Sequence, residues 1–497
     1  MRYPGRRLPP LVRREPRSSI WLTREPPFRS QLDYSAARRK KTGNRVLNNK
    51  KGRPERPPQA GGLPHYTKSC RTMRKTFYGW WVTLAAFLTF GIAVGLPYYN
   101  MPFFYDYFQR EFHWSKGQIT FGFPLAALLT LWIGPVLVPR FSPRKLILVG
   151  TALTCAAFLG FGTMHGSLWV YYGLWFLYTV GYILSGPIPH QLIISHWFRR
   201  NRGKAMGILY VGVGLIGFLG SYLVKPLTEG TNFHSALMVW GALVLLAWPL
   251  ALFAIRDRAG DKGLYPDGDS QPPAENQVAS LSFGYLLRQY SFWLLLIGSF
   301  CSIGAIGAVN FHMKFVFLDQ GFTDHTKEGV ALLNSTWRVA SMTILATSIA
   351  GRLAIGGLAD RFSKKWVMTA TYFLVAATIP MLLTVSPARS PVAFAVLFGF
   401  GMGADYMLIP LMAAEQFGVN TLARAMAIIL PVNTIGQTWF PYFVSILRER
   451  FGSYAMALGA VFAVSVIGAL AILLLPRHQA LDETLRLQDS GRIAARG

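Results

Sequence analysis

Cysteine and charge are both scarce in this chain, and each scarcity excludes a class of protein. Three cysteines, Cys70, Cys155 and Cys301, occur in 497 residues. Their wide spacing fits neither a disulfide framework nor a thiolate metal site. Charged residues make up 14% of the chain, against about 25% in an ordinary soluble domain. With 52% hydrophobic residues and a mean hydropathy of +0.32, the sequence predicts an all-α polytopic membrane protein.

Acidic residues are scarcer still, and the resulting net charge of +28 is concentrated at one end. Residues 1–76 hold 21 Lys and Arg against 4 Asp and Glu. This segment shows neither interleaved aromatics nor a folded module, so we expect no nucleic-acid partner. Residues 1–72 lack hydrophobic periodicity and are predicted to be disordered. They are either a cytoplasmic tail that touches anionic lipid or an over-extended gene start before Met73.

Twelve apolar segments follow, each about the 20 residues that a helix needs to cross a membrane. We predict spans at 78–99, 118–138, 145–164, 168–196, 205–224, 233–255, 290–314, 328–357, 366–385, 392–415, 422–446 and 454–475. The predicted domains are an N-terminal bundle (73–255), a cytoplasmic linker (256–288), a C-terminal bundle (289–476) and a tail (477–497). Basic residues are concentrated in the loops after even-numbered spans. By the positive-inside rule, both termini are expected in the cytoplasm of a cell-membrane protein.

The two predicted bundles resemble each other in sequence. PRFSPRK (139–145) follows the second span and DRFSKK (360–365) follows the eighth, an offset of 221 residues. RGKAMGI (202–208) opens the fifth span and LARAMAI (422–428) opens the eleventh, an offset of 220 residues. Two signals at nearly one offset indicate an internal duplication. They predict two pseudo-symmetric six-helix bundles with a substrate site at their interface.

The loop after the eighth span carries a glycine, three further residues, Asp-Arg, a small residue and paired bases. Its members are Gly356, Asp360, Arg361, Ser363, Lys364 and Lys365. This motif resembles the gating signature of the major facilitator superfamily, which implies the major facilitator fold and transport by alternating access. The first copy departs from the signature, since Pro139 stands where the aspartate belongs. We therefore expect no matching charge-pair latch in the N-terminal half.

Other segments resemble the oxalate/formate antiporter-like and monocarboxylate carrier branch of that superfamily. They are Trp197-Phe198 with Arg202-Gly203, Asn310 with His312, Gly351-Arg352, and Gln416-Phe417-Gly418. The resemblance implies that Arg352 binds the substrate carboxylate. Oxalate carriers have a second cation in span eleven, where this chain offers only Asn433 and Gln437. Proton-linked carriers have an aspartate three turns before the arginine, where this chain has Ser341, so neither coupling scheme transfers intact.

Charged residues at mid-membrane are costly and therefore mark function, and three qualify here. Arg338 and Arg352 lie 14 residues apart in span eight, so they point within about 40° of each other. We predict a cavity-facing polar stripe in which Arg352 grips a carboxylate with two parallel hydrogen bonds. A structural pairing of Arg352 with Asp360 or with a loop carbonyl is the alternative. Asp405 in span ten is predicted to be either a proton-coupling group or the salt-bridge partner of one of these arginines.

Neutral polar side chains form further candidate substrate contacts. They are Tyr98, Tyr178, Tyr182, Asn310, His312, Asn433 and Gln437. Hydroxyls and amides can orient an organic anion in an apolar pocket, although tyrosine belts also anchor helices at membrane interfaces. Gly212, Gly214 and Gly217 match a dinucleotide-binding pattern, but within an apolar span they indicate close helix packing.

These residues predict a secondary transporter for a small organic anion, a monocarboxylate, with protons as a candidate coupling ion. We expect a monomer in a lipid bilayer, with no metal and no cofactor. The main alternative is an exporter of drugs or other amphipathic molecules. A membrane-embedded enzyme would need clustered ligands or a nucleophile with its base, which the sequence does not show, so no enzymatic activity is expected.

Overall fold

The fold is described by a computed structural model, which covers residues 77–230, 232–270, 280–323 and 325–476. The predicted tails, 1–72 and 477–497, lie outside the described residues. Within the described ranges, eleven helices are long and apolar enough to cross a membrane. A bent pair of shorter helices makes a twelfth span. The predicted polytopic all-α fold is confirmed.

The spans follow the predicted order, and their bounds define the labels used below. They are α1 (Tyr78–Phe112), α2 (Gly117–Leu129 with Ile133–Arg140), α3 (Pro143–Thr163), α4 (Leu168–Trp197), α5 (Arg202–Gly230), α6 (Phe233–Phe253), α7 (Tyr290–Asp319), α8 (Lys327–Arg361), α9 (Lys364–Thr384), α10 (Val392–Phe417), α11 (Val419–Phe451) and α12 (Tyr454–Leu473). A short helix, Phe283–Arg288, precedes α7 in the linker.

The same helix pairs pack in both halves, as the internal duplication predicts. In the first half α1 packs on α5, α2 on α4, and α3 on both α4 and α6. In the second half α7 packs on α11, α8 on α10, and α9 on both α10 and α12. Glycines allow these close approaches. A Cβ added at Gly217 of α5 would lie 2.8 Å from the Gly95 carbonyl oxygen of α1.

Three helices differ from the uninterrupted spans that the sequence predicts. Helix α1 continues past its predicted end to Phe112, because the amphipathic segment YDYFQREF extends it until His113 adopts a left-handed conformation. The two parts of α2 meet at 42°. Helix α4 breaks at Gly186, whose ψ of −142° is not helical, and Pro187 follows. His190 compensates for the break, since its Nδ1 lies 2.8 Å from the Gly186 carbonyl oxygen.

The two halves approach each other most closely toward one end of the molecule. We call it the basic end, because it carries the basic loops after α2, α4 and α8; the opposite end is the far end. A Cβ added at Gly356 of α8 would lie 2.6 Å from the Gly203 carbonyl oxygen of α5. A Cβ added at Gly134 of α2 would lie 3.2 Å from the Ala427 carbonyl oxygen of α11. Contacts between α5 and α8, and between α2 and α11, therefore close the basic end.

Candidate functional site

Arg352 extends from α8 of the second half toward α5 of the first. Its Nε donates a hydrogen bond to the Gly403 carbonyl oxygen of α10 at 3.2 Å. Its Nη1 is buried and has no hydrogen-bond partner among the described residues. Gly214 leaves room for this group, because a Cβ added there would lie 2.8 Å from Nη1. One edge of the guanidinium is thus held in place while a buried donor stays unused.

Two residues that the sequence did not single out lie next to this arginine. The Gln191 side-chain amide of α4 donates a hydrogen bond to the Tyr210 hydroxyl of α5. Tyr210 lies within electrostatic reach of Arg352, as does Tyr99 of α1. As this amide is oriented, the Tyr210 oxygen accepts, and no hydrogen bond from the Tyr210 hydroxyl is found among the described residues. Tyr210 is therefore the candidate for a second donor near Arg352.

Aromatic rings of the first half surround this region. The Tyr98 ring centroid lies 5.9 Å from that of Tyr182 and 5.7 Å from that of Phe123. Tyr182 and Phe123 also line a cavity between the halves, opposite Tyr406 of α10 and Leu430 of α11. The structure thus brings together Tyr98 and Tyr182, two of the predicted contacts. Tyr178 instead packs inside the first bundle, with its ring 5.8 Å from Phe158.

The two polar residues of α11 have different environments. The Gln437 side-chain oxygen accepts a hydrogen bond of 2.7 Å from the hydroxyl of Tyr406, so it holds a ring that lines the cavity. Asn433 is fully buried. Its Oδ1 accepts a hydrogen bond of 3.1 Å from Ser299 of α7, within the second bundle. Gln437 therefore acts on the cavity through Tyr406, whereas Asn433 links two helices of one half.

Asn310 and His312 lie toward the far end of α7 and do not meet Arg352. Asn310 is exposed, and its amide donates to the Met402 sulfur at 3.2 Å. His312 is buried between the Tyr454 hydroxyl, 3.0 Å from Nδ1, and the Pro441 carbonyl oxygen, 2.8 Å from Nε2. Both ring nitrogens are occupied in helix contacts. His312 borders a separate opening of the second half, so its predicted place at the central site is not seen in this structure.

Arg338 also lies apart from Arg352. It is exposed, nearer the far end and roughly 21 Å along α8 from Arg352. Another cation, Lys314 at the end of the predicted seventh span, lies against this part of α8 and was not among the predicted site residues. The Lys314 ammonium donates to Asn334 at 2.8 Å and lies 5.5 Å from the centre of the Trp337 ring.

Asp405 does not pair with either arginine in this structure. Its side chain is fully buried and accepts a hydrogen bond of 2.6 Å from Ser302 of α7. The Tyr372 hydroxyl of α9 lies beside the carboxyl, and Oδ1 has no hydrogen-bond partner among the described residues. Gly403, whose carbonyl holds Arg352, is two residues away, which is about 200° around a helix. Asp405 therefore faces the interior of the second bundle while Gly403 faces Arg352.

The residues of the predicted gating motif make two kinds of contact, one between the halves and one within the second half. Asp360 joins the halves, since its carboxylate accepts from the backbone N–H groups of Gly203 at 2.6 Å and Lys204 at 2.9 Å. These groups belong to the first turn of α5, where a negative charge is stabilised. Lys364 and Lys365 act within the second half, binding Glu415 at 2.7 Å and the Leu475 carbonyl oxygen at 2.6 Å. Arg361 is exposed.

Asp360 thus holds the start of α5 and not Arg352, and the Arg352 Nη1 has no bond to it. The alternative pairing of Arg352 with Asp360 is therefore absent here. Two duplicated bundles that meet around a partly satisfied guanidinium define a secondary-transporter architecture. A family model described as Major Facilitator Superfamily matches residues 19–197, 188–354 and 333–495. The chain belongs to that superfamily, so it is a transporter for a small molecule.

Curated relatives agree with the predicted branch. Monocarboxylate transporter 11 of Mus musculus is 24% identical over 419 residues, covering 80% of this chain and 88% of the relative. The Fujikurins efflux protein of Gibberella fujikuroi is 24% identical over 392 residues, covering 75% and 77%. A crystal structure of the superfamily transporter FucP in the outward conformation aligns with a TM-score of 0.60. It is 14% identical and covers 80% of this chain and 98% of FucP, which confirms the fold.

Proposed function

We propose that the protein is a secondary active transporter that moves a monocarboxylate across the plasma membrane by alternating access. The observation that carries this proposal is the Nη1 of Arg352, a buried donor that lies against Gly214 of the other half and has no hydrogen-bond partner among the described residues. A planar guanidinium can hold a carboxylate through two parallel hydrogen bonds. The similarity to monocarboxylate transporters supports the same substrate class. All proposed contacts come from one chain, so the transporter is proposed to act as a monomer.

The orientation follows from the basic loops, which favour a cytoplasmic basic end and cytoplasmic termini. In this orientation the contacts between Asp360 and the start of α5 close the cytoplasmic side. We therefore infer that the structure represents an outward-facing state. Transport would proceed when the N-terminal bundle (73–255) and the C-terminal bundle (289–476) rock about the cavity, with the linker 256–288 between them.

Asp405 is proposed to couple protons to this movement, although not by the direct competition for Arg352 that the sequence suggested. It lies on α10, the helix whose Gly403 carbonyl holds Arg352. A buried carboxylate with one unpaired oxygen is costly when charged. A proton on Asp405 would lower that cost and permit α10 to shift within its bundle. Coupling would thus pass through α10 and not through an ion pair.

Uptake into proteoliposomes tests the proposed function. Purified protein is supplied with labelled acetate, butyrate and phenylacetate, with and without an inward proton gradient. We expect saturable, protein-dependent uptake of at least one monocarboxylate, increased by the gradient. Empty liposomes and protein with Arg352→Ala serve as controls. Absence of uptake and exchange for every carboxylate tested would contradict the proposal.

An exporter of amphipathic molecules is the second candidate function. The apolar lining of the cavity and the similarity to a fungal efflux protein favour it. The two functions differ in their need for an anion. An exporter of neutral or cationic amphipaths should keep its transport when Arg352 is replaced by Gln, whereas a carboxylate carrier should lose it.

A further inference from the structure

The walls of the central cavity are more apolar than their residue types suggest. Three threonines line it, yet each hydroxyl donates to the backbone of its own helix. Thr130 donates to the Ala126 carbonyl oxygen at 2.7 Å, Thr179 to Trp175 at 2.8 Å, and Thr434 to Leu430 at 3.0 Å. Hydroxyls bonded in this way have no proton left for a ligand. The wall therefore offers mainly methyl groups and rings.

Rings from both halves face this cavity. Phe123 and Tyr182 belong to the first half, and Tyr406 belongs to the second. Gln437 holds the Tyr406 hydroxyl, which fixes that ring. The Tyr98 ring packs on Tyr182 at 5.9 Å. The hydroxyls of Tyr98 and Tyr182 make no hydrogen bond within the described ranges. Planar surfaces with one or two free hydroxyls at their edges thus form the cavity.

The charged end of the site is joined to these rings through Tyr99 and supplies one cation. Gly214 and Gly217, about one turn apart on α5, lie against the Arg352 Nη1 and the Tyr99 ring, respectively. The Tyr99 ring centroid lies 5.4 Å from that of Tyr98, which packs on Tyr182. Other cations of the neighbouring spans are engaged or distant, since Lys314 is held by Asn334 and Arg338 lies roughly 21 Å away along α8. One buried cation matches one carboxylate, because a second anionic group would be left unpaired.

We propose that the substrate is a monocarboxylate with an aromatic body, its carboxylate at Arg352 and its ring between Tyr182 and Tyr406, where the cavity of about 40 Å³ widens to admit it. This inference rests on the proposed carboxylate transport and narrows it. Offset or edge-to-face ring contacts favour an aromatic body over an aliphatic one of similar area by roughly two- to tenfold in affinity. A short aliphatic carboxylate would occupy the arginine and leave the rings uncovered.

Exchange by counterflow in proteoliposomes compares four probes. Labelled phenylacetate and labelled acetate are exchanged separately, and each is challenged with unlabelled phenylacetate, acetate, phenylsuccinate or 2-phenylethanol. We expect a KM for phenylacetate at least tenfold below that for acetate. The dicarboxylate and the neutral alcohol should compete poorly, because the first has an unpaired charge and the second lacks an anion.

Two substitutions at Tyr182 separate the effect of its ring from the effect of its hydroxyl. Tyr182→Leu should raise the KM for phenylacetate by roughly two- to tenfold and leave that for acetate within about twofold. Tyr182→Phe keeps the ring and should retain phenylacetate preference. Tyr222→Leu, at an exposed tyrosine of α5, serves as the matched control. Yield and monodispersity of each variant in detergent show whether it folds.

The outcomes distinguish a failure of the aromatic substrate class from a failure of the proposed carboxylate transport. Equal KM values for acetate and phenylacetate would overturn the aromatic substrate class and leave carboxylate transport intact. Equal competition by phenylacetate and 2-phenylethanol, or no exchange of any carboxylate, would contradict the proposed function itself. An unchanged KM for phenylacetate in Tyr182→Leu would overturn the proposed placement of the ring.

Discussion

Single residues of the site differ in how their hydrogen-bonding capacity is used. Arg352 is held by one carbonyl at Nε, and its Nη1 has no partner in the part of the chain that the structure describes, although buried polar groups are usually satisfied. Tyr210 accepts from Gln191 as the amide is oriented. Unused buried donors at the same place are costly unless an anion completes them. The sequence could identify Arg352, because charge within an apolar span is rare, but Tyr210 is one of 21 tyrosines.

Replacement of Tyr210 by Phe tests whether its hydroxyl is a second ligand for the carboxylate. A hydrogen bond to a charged group contributes about 1.5–3 kcal/mol, so the KM for carboxylate exchange should rise by roughly tenfold or more. Tyr178→Phe is the control, since the Tyr178 hydroxyl is buried and unpartnered within the described ranges, and its ring packs against Phe158 inside the first bundle. An unchanged KM in Tyr210→Phe would show that this hydroxyl does not bind substrate.

Asp405→Asn tests the proposed coupling role. Asparagine keeps an oxygen to accept from Ser302 and imitates the protonated carboxyl. We expect counterflow exchange close to that of the unaltered protein, and loss of accumulation driven by a pH gradient. Both are measured in the same proteoliposomes. If pH-driven accumulation persists, Asp405 is a structural residue between α7, α9 and α10.

At the scale of helices, the two halves close the basic end by different means. Asp360 caps the first turn of α5. At the start of α11 no such aspartate is available, because Pro139 occupies the corresponding place. Hydrogen bonds with linker residues are found there instead. Ser280 donates to the Asn420 carbonyl oxygen at 3.0 Å, and Arg424 donates to the Leu281 carbonyl oxygen at 2.6 Å. The duplicated halves therefore have an unsymmetrical closure.

This asymmetry predicts that Asp360→Asn opens the basic end. The neutral amide loses the charge that stabilises the α5 terminus, an interaction of about 0.3–2 kcal/mol. A cysteine introduced at Ala427, buried where α11 meets α2, reports on the opening in a background without native cysteines. Its rate of reaction with a membrane-impermeant thiol reagent should rise about twofold to tenfold from the basic side. Asp261→Asn, in the linker, is the control; equal rates for all three proteins would refute the latch.

Helix positions were well predicted, whereas irregular segments were not. All twelve spans follow from apolar runs of membrane length. The extension of α1 to Phe112 escaped prediction because polar residues end the apolar run, although their amphipathic spacing was a usable signal. The linker contacts of Ser280 and Arg424 depend on residues about 140 positions apart. No local pattern encodes such contacts.

At the scale of the whole molecule, the two bundles contribute different chemistry. The first half supplies the rings and hydroxyls of Tyr98, Tyr99, Tyr182 and Tyr210. The second half supplies Arg352, Asp405 and the Tyr406 ring. The sequence was sufficient to identify the charged site residues of the second half, because a charge inside an apolar span is energetically costly and therefore marks function. It could not decide which way Asp405 faces, since that depends on how α10 is rotated against α7 and α9.

Because the anchor lies on the second bundle and most of the rings lie on the first, substrate is expected to bridge the halves. A bridging ligand stabilises only states in which both bundles are close to it. This explains how one small anion can bias the rocking of two large bundles. The proposed carboxylate transport depends most on Arg352, because it is the cation that the structure places beside the tyrosines.

The most direct test is the concentration dependence of carboxylate exchange in Arg352→Lys, with Arg338→Lys as the matched control on the same helix. Labelled acetate and phenylacetate are both used, and protein yield is measured in parallel. Lysine keeps the charge but loses the two parallel donors of the planar guanidinium, so we expect a KM at least about tenfold higher for both probes. Arg338→Lys should stay near the unaltered protein. Unaltered KM values in Arg352→Lys would contradict the account.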